Sequence, residues 1–235
     1  MPTCHSSNDM AQQLAQKPDT AEGTVIICEE QSKGKGQRGN TWEATAGKNL
    51  TLSVILKPKF LKIKEQFALN MVSSLAVSDT VSHFLPEAVV KVKWPNDVLV
   101  SDQKIAGILI ENAINGQSID SAIIGIGLNV NQTGFQAPRA TSLSKLAGEE
   151  LDLAAVFEKL MRSLEQYYIM LKAGRMAELK ESYLAHLFGY REQRKFLAEY
   201  RFEGRIEDVT DQGFLVVSGP HGRKNYDLKE IEFLY

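Results

Sequence analysis

The sequence predicts an α+β protein that ends in a small all-β unit. Over residues 1–188, segments with helical apolar spacing (residues 63–84 and 152–172) are interspersed with short β-branched runs. Past Gly189, five short runs are divided by Gly, Asp, Pro and His-Gly turns, the texture of a small β-barrel or SH3-like module. The 235 residues are 43% hydrophobic and 24% charged, a composition that supports a substantial core.

Each element has a local reason. Ser6, Ser7 and Asn8 precede residues 9–17, which read as a helix opened by a Ser or Asn cap. Residues 24–28 form a β-branched strand. Residues 31–47, QSKGKGQRGNTWEATAG, are glycine-rich, polar and cationic, and read as loop. Residues 49–57 alternate back into a strand closed by Pro58. In residues 63–84, Phe67, Met71 and Leu75 recur at i, i+4 spacing with Ala68, Val72 and Ala76 beside them, which predicts a helix.

Lys91, Val92 and Lys93 alternate into a strand that feeds the turn Trp94-Pro95-Asn96-Asp97. Pro95 has no backbone donor and disfavours helix at Trp94, while Asn and Asp suit turns. Residues 98–100 and 105–110 are apolar strand runs joined by Ser101-Asp102-Gln103. Residues 121–130 read as a strand interrupted by Gly125 and Gly127, a pattern that marks close approach of a backbone or ligand. Residues 133–148 are loop with a short helical turn. Asp152 caps a helix reaching Lys172, with Val156, Phe157, Leu160, Met161, Leu164, Tyr167 and Leu171 as its buried stripe, and Gly174 ends it. A further helix covers residues 176–187. The terminal strands are 195–200, 204–209, 213–218, 223–227 and 231–234. The division therefore falls near Gly189, giving units 1–188 and 189–235.

Composition also excludes. A net charge of −2 argues against a protein whose main task is gripping nucleic acid. Cys4 and Cys28 fit neither a zinc site nor a disulfide framework, and the four histidines are scattered. No protein-ligated metal is expected. The N-terminal residues lack the apolar core of a signal peptide, and no apolar run approaches a membrane span, so a soluble, cytoplasmic chain is expected.

The chemistry centres on residues 91–111. A cation (Lys104), a carboxylate (Asp97) and an amide (Asn96) at the ends of buried strands are what a pocket for an anionic substrate needs. The plainer alternative is a surface hairpin with solvated charges. Upstream, Gly34, Gly36 and Gly39 satisfy the dinucleotide pattern G-x-G-x-x-G, and Gly34 and Gly39 have Walker A spacing. Both matches fail on context. No helix opens at Gly39, and Asn40 stands where Walker A needs lysine. What remains is a cationic loop bearing Lys33, Lys35 and Arg38, able to wrap phosphates through charge and free amides, with Trp42 at its end.

These residues, in this order, resemble the biotin protein ligases (biotin–acetyl-CoA-carboxylase ligases). The resemblance runs through Ser6-Ser7-Asn8, Gln31 to Gly39 with Trp42, Lys93-Trp94-Pro95-Asn96-Asp97, Lys104 to Glu111, Gly125 to Val130 and the C-terminal β module, essentially the whole chain. It implies a mixed sheet packed by helices, as in class II synthetases, followed by an SH3-like domain. It also implies a two-step reaction. Biotin and Mg-ATP give biotinyl-5′-AMP, and the acyl group then passes to a lysine of a biotin carboxyl carrier domain.

The resemblance assigns biotin to Ser6, Ser7, Asn8, Gln31, Lys35, Gly36, Gln37, Lys104, Gly107, Gly125 and Gly127. It assigns ATP to Trp42, Asn96, Lys104 and Asn129. Lys104, Asp97, Lys35 and Arg38 are the implied catalytic set, Lys104 meeting the carboxylate and α-phosphate and Asp97 orienting the acceptor lysine. An Asp in a Pro-Asn-Asp turn can also simply cap it. No residue is assigned to the metal, because Mg²⁺ is expected on the ATP phosphates. The glycine loop departs from the common G-R-G-R-x-G-R pattern at Lys35, Gln37 and Asn40, which leaves fewer permanent charges for the phosphate.

The position of Ser6, which leaves no room before it for a DNA-binding domain, and the net charge of −2 make DNA an unexpected partner, and the lack of a long apolar run makes a membrane one. The resemblance admits a homodimer as well as a monomer. A lipoate–protein ligase, and a catalytically silent biotin-binding regulator, are the rival readings.

Overall fold

The computed structural model describes residues 3–234, the side chain of Arg38 excepted. The chain opens with β1 (Thr3–Cys4), α1 (Ser7–Ala15), β2 (Val25–Ile27), β3 (Glu30–Gln31) and β4 (Leu50–Leu56). It continues through α2 (Phe67–Phe84), β5 (Val90–Lys93), β6 (Asp97–Val100), β7 (Gln103–Asn115) and β8 (Ser118–Leu128). Three helices follow: α3 (Leu143–Ala147), α4 (Leu153–Lys172) and α5 (Met176–His186). The last strands are β9 (Gln193–Leu197), β10 (Arg201–Val209), β11 (Leu215–Gly219), β12 (Gly222–Tyr226) and β13 (Glu232–Leu234).

The α+β expectation holds, with one correction to the sheet. Its six strands run β2-β4-β8-β7-β6-β5, and every pairing is antiparallel. The parallel pairing that a mixed sheet requires is confined, among named strands, to the separate β1–β3 ribbon. The cause is connectivity. β5 to β8 form a meander of short turns, and such turns can only join antiparallel neighbours.

One face of this sheet is the main core. Leu52, Ile126 and Ile108 sit opposite one another, as do Val54, Ile124 and Ile110, and this face packs on the helices. α2 is buried nearly all round, between the sheet and α4 and α5. Its interior hydroxyls are satisfied locally: Ser73, Ser74 and Thr80 donate to the carbonyls of Leu69, Asn70 and Ala76. α4 starts on Asp152, whose Oδ1 accepts from the Ala154 amide at 3.0 Å, and the turn after it uses Gly174 at φ +74. Asp79 of α2 ties to α4 by accepting from Lys159 Nζ (2.6 Å) and Ser163 Oγ (2.7 Å).

Among the described helices α1 packs on the opposite face, much of which stays open. Cys4, Ala11, Ile26, Cys28, Ile55 and Ile123 form a small second core beneath that helix. A disulfide joins Cys4 to Cys28, with Cα atoms 6.2 Å apart. This corrects the sequence expectation. The proximity comes from β1 pairing with β3, a contact that the cysteine spacing does not contain.

The C-terminal strands form an antiparallel sheet ordered β12-β11-β10-β9-β13. Among the described residues its end strands do not pair with each other, so it is an open sheet rather than a closed barrel. Among the described residues it meets the first unit where Trp94 Nε1 donates to Gly213 O (2.8 Å), where Lys180 Nζ lies 3.2 Å from Asp208 Oδ1, and where Lys93 Nζ lies over the Phe233 ring. Among the described residues, no helix is long and apolar enough to cross a membrane.

Candidate functional site

The open face of the sheet is floored by glycine. Because directly opposed residues share a face, Asp97, Gly107, Gly127 and Thr51 form one row across β6, β7, β8 and β4. Leu109, Gly125 and Ser53 form the next row. A Cβ at Gly125 would lie 2.3 Å from Asn8 Oδ1, and one at Gly127 would lie 2.3 Å from Trp42 Cε2. Only glycine allows α1 and Trp42 to lie this close, which is why the strand tolerates its loss of β-propensity here. Above the floor is a cleft of about 640 Å³.

One end of the cleft is polar and neutral. Ser6, Ser7 and Asn8 line it at the start of α1, and all three are buried. Capping does not explain them, because Ser6, the N-cap, makes no side-chain cap bond. Ser7 Oγ lies 2.7 Å from Ser53 Oγ, and Ser53 Oγ lies 2.6 Å from Asn8 Oδ1. Asn8 Nδ2 donates to Glu111 Oε2 at 2.7 Å and faces Leu109 O at 3.4 Å. The Ser7 amide donates to Gln31 Oε1 at 2.7 Å.

The other end is charged. Lys104 Nζ is 2.6 Å from Asp97 Oδ1, and it sits over the Trp42 ring at 5.6 Å from the centroid. Gly107 leaves room for both, since a Cβ there would meet Trp42 Cζ3 at 3.0 Å and Lys104 Nζ at 3.4 Å. The main chain at Lys104 is pinned from both sides: its amide donates to Arg139 O, and its carbonyl accepts from the Thr141 amide. Asn96 is locked into the turn by exchanging bonds with Ile108, Nδ2 to O at 2.8 Å and O from N at 2.9 Å. The Trp94–Pro95 peptide within this turn is cis.

The glycine loop folds back on itself. Gly36 N donates to Asn40 O, Trp42 N donates to Gly34 O, and Gln37–Gly39 make one 3₁₀ turn. Lys35 Nζ pairs with Asp9 Oδ1 of α1, and that hydrogen bond raises the lysine above its ordinary pKa. The side chain of Arg38 lies outside the described residues.

Fourteen of the residues singled out in sequence line this cleft, from Ser6 to Gly127. Asn129 does not. It is buried behind the floor, where Nδ2 donates to Thr141 O at 2.9 Å and Oδ1 has no hydrogen-bond partner. Its place is at the loop that holds Lys104, not on the cleft wall. Sequence reasoning missed Thr51, Ser53, Glu111 and the C-terminal segment Leu228–Phe233, part of which forms the rim, where Lys93 Nζ lies over the Phe233 ring at 5.3 Å. Two polar residues at i, i+2 in the otherwise apolar β4, Leu50–Leu56, were the available signal for Thr51 and Ser53. Among the described residues no group of three or more His, Cys, Asp or Glu is placed to hold a metal ion.

Fold and cleft together define a protein built to hold an extended small molecule, neutral and polar at one end and anionic at the other, on the open face of an antiparallel sheet. The model of the biotin/lipoate A/B protein ligase family matches residues 2–129, and the chain belongs to that family. It is 33% identical over 199 residues to the biotin–[acetyl-CoA-carboxylase] ligase of Mycobacterium tuberculosis, covering 83% of this chain and 73% of that protein. It is 29% identical over 238 residues to the enzyme of the same name from Paracoccus denitrificans, covering 97% of each. The structure of the Aquifex aeolicus biotin protein ligase in complex with biotin and ATP superposes with a TM-score of 0.81 at 26% identity. That match covers all of this chain and 97% of the other.

Proposed function

We propose that this protein is an ATP-dependent biotin ligase that forms biotinyl-5′-AMP and passes the biotinyl group to a lysine of a carboxylase carrier domain. The observation that carries the reading is the Lys104–Asp97 pair at one end of a glycine-floored cleft whose other end is neutral and polar. Biotin has the matching polarity, a neutral ureido head and a carboxylate tail. A carboxylate is a poor electrophile, so it must first attack the α-phosphate of ATP and expel pyrophosphate. Lys104 neutralises the charge that gathers between the two anions. Asp97, released as Lys104 turns to its anions, is placed to orient the incoming amine. Trp42 and Asn96 take the adenylate end, and Ser6, Ser7, Asn8 and Gln31 the ureido head. Magnesium enters with the ATP phosphates. The described residues offer it no ligand cluster, so no step is assigned to it.

The division at residues 188 and 189, with an SH3-like C-terminal unit, and a cytoplasmic address belong to the same proposal. The positive φ of Gly189 and the change from helix to short strands support the division. The test is ATP-dependent transfer of labelled biotin to a purified carrier domain, with lipoate as competitor. Transfer unaffected by lipoate is expected. No transfer, or transfer of lipoate in place of biotin, refutes the reading.

A further inference from the structure

Ser53 is fully buried on β4, does not line the cleft, and yet touches both Ser7 and Asn8. The proton positions in this trio follow from chemistry. The nitrogen of the Asn8 amide must be the atom facing the Glu111 carboxylate and the Leu109 carbonyl, because both of those only accept. Asn8 Oδ1 therefore faces Ser53, and an amide oxygen also only accepts. The Ser53 hydroxyl carries one hydrogen, so that hydrogen goes to Asn8. The 2.7 Å contact between Ser53 and Ser7 must then be a bond donated by Ser7. Ser7 has spent its only hydrogen inside the protein and offers the cleft lone pairs alone.

Gln31 is fixed by the same reasoning. Its Oε1 accepts from the Ser7 amide, so its Nε2 is the group left to donate. The neutral end of the cleft thus presents a hydroxyl that can only accept beside an amide whose Nε2 donates.

We propose that Ser53, held through Asn8 by Glu111, is a positioning residue that sets Ser7 as an obligate acceptor and so selects a head group offering an N–H beside a C=O. A cyclic urea has that edge and a dithiolane ring has neither group. The inference rests on the biotin-ligase reading and adds to it the residue that enforces head-group choice without touching the ligand.

The test compares three acids in ATP–pyrophosphate exchange: biotin, and two cyclic carbamates in which one or the other ring N–H is replaced by oxygen. In the wild type, the isomer presenting oxygen to Ser7 should have a KM about tenfold above that of biotin, the equivalent of one hydrogen bond. In Ser53→Ala, Ser7 regains a free hydroxyl hydrogen and can donate to that oxygen. The ratio should fall to about threefold or less, while the KM for biotin rises and the KM for ATP stays put. Ser53→Val, isosteric with the threonine variant but without its hydroxyl, gives the same reading if the alanine variant is unstable. Ser53→Thr, which keeps the hydroxyl, should retain the wild-type ratio. An unchanged ratio in the alanine and valine variants overturns the inference and leaves the ligase reading standing. A wild-type chain that neither binds nor turns over biotin overturns both.

Discussion

Replacing Lys104 with methionine removes one charge while keeping an unbranched stem over Trp42 and Gly107, and its effects on stability and on catalysis should separate. The ion pair it breaks is only partly shielded, with side chains 37% exposed at Lys104 and 23% at Asp97. A pair screened to that degree contributes less than about 1 kcal/mol, so Tm should fall by no more than roughly 4 °C for a chain of this size. Catalysis has more to lose. A donor fixed where charge develops in the transition state is worth about 10²–10³ in rate, roughly 3–4 kcal/mol. Biotin-dependent ATP–pyrophosphate exchange should therefore drop at least a hundredfold in Lys104→Met, and Lys104→Ala should abolish it. Thermal melts on the same samples provide the control. Exchange within threefold of wild type, in a protein that melts normally, would sink the role given to Lys104.

Three further outcomes are expected. Gly125→Ala puts a methyl 2.3 Å from Asn8 Oδ1 and forces Asn8 off both Ser53 and Glu111. With two bonds of about 1 kcal/mol each at stake, the KM for biotin should rise roughly thirtyfold while that for ATP holds. At Asp79, burial pushes the carboxyl upward, but hydrogen bonds from Lys159 and Ser163 and the electrostatic pull of Lys159 and His83 prevail and hold it below its ordinary value. Its stabilisation is then fully present above the unfolded-state pKa and is lost as pH falls through the folded one. The Tm gap between wild type and Asp79→Asn should accordingly be constant at neutral pH and close in acid. Finally, the disulfide closes a loop with a sequence separation of 24, so reduction or Cys28→Ser should cost about 3 kcal/mol in denaturant titrations. Identical midpoints with and without reductant would show that the bond does not form in solution.

Much of the site could be read from the chain because its parts are local. Trp94-Pro95-Asn96-Asp97 and Lys104 belong to one meander, where proline, turn residues and alternation leave little freedom, and the structure brings their side chains to one end of the cleft. Gly125 and Gly127 were legible as close approaches, although not what approaches them. That turned out to be Asn8 and Trp42, from elements far back in the chain. The errors share a cause. The disulfide and the antiparallel register are both set by strand partnership, which no local pattern encodes. Ser53 shows the limit most clearly. A serine in an apolar strand signals only a polar neighbour, and the neighbours arrive from α1.

The tie between Trp94 and Gly213 has a spectroscopic consequence. The chain has two tryptophans, and the fold sets them in different places. Trp94 is buried where the C-terminal sheet meets the first unit, its indole N–H bonded to the Gly213 carbonyl between β10 and β11. Trp42 lies in the cleft against Gly127, beneath the Lys104 ammonium. Intrinsic fluorescence therefore carries two separable channels. With Trp94→Phe the remaining emission reports the cleft, and with Trp42→Phe it reports the junction, so filling the cleft and docking of the C-terminal sheet can be timed independently without an added dye.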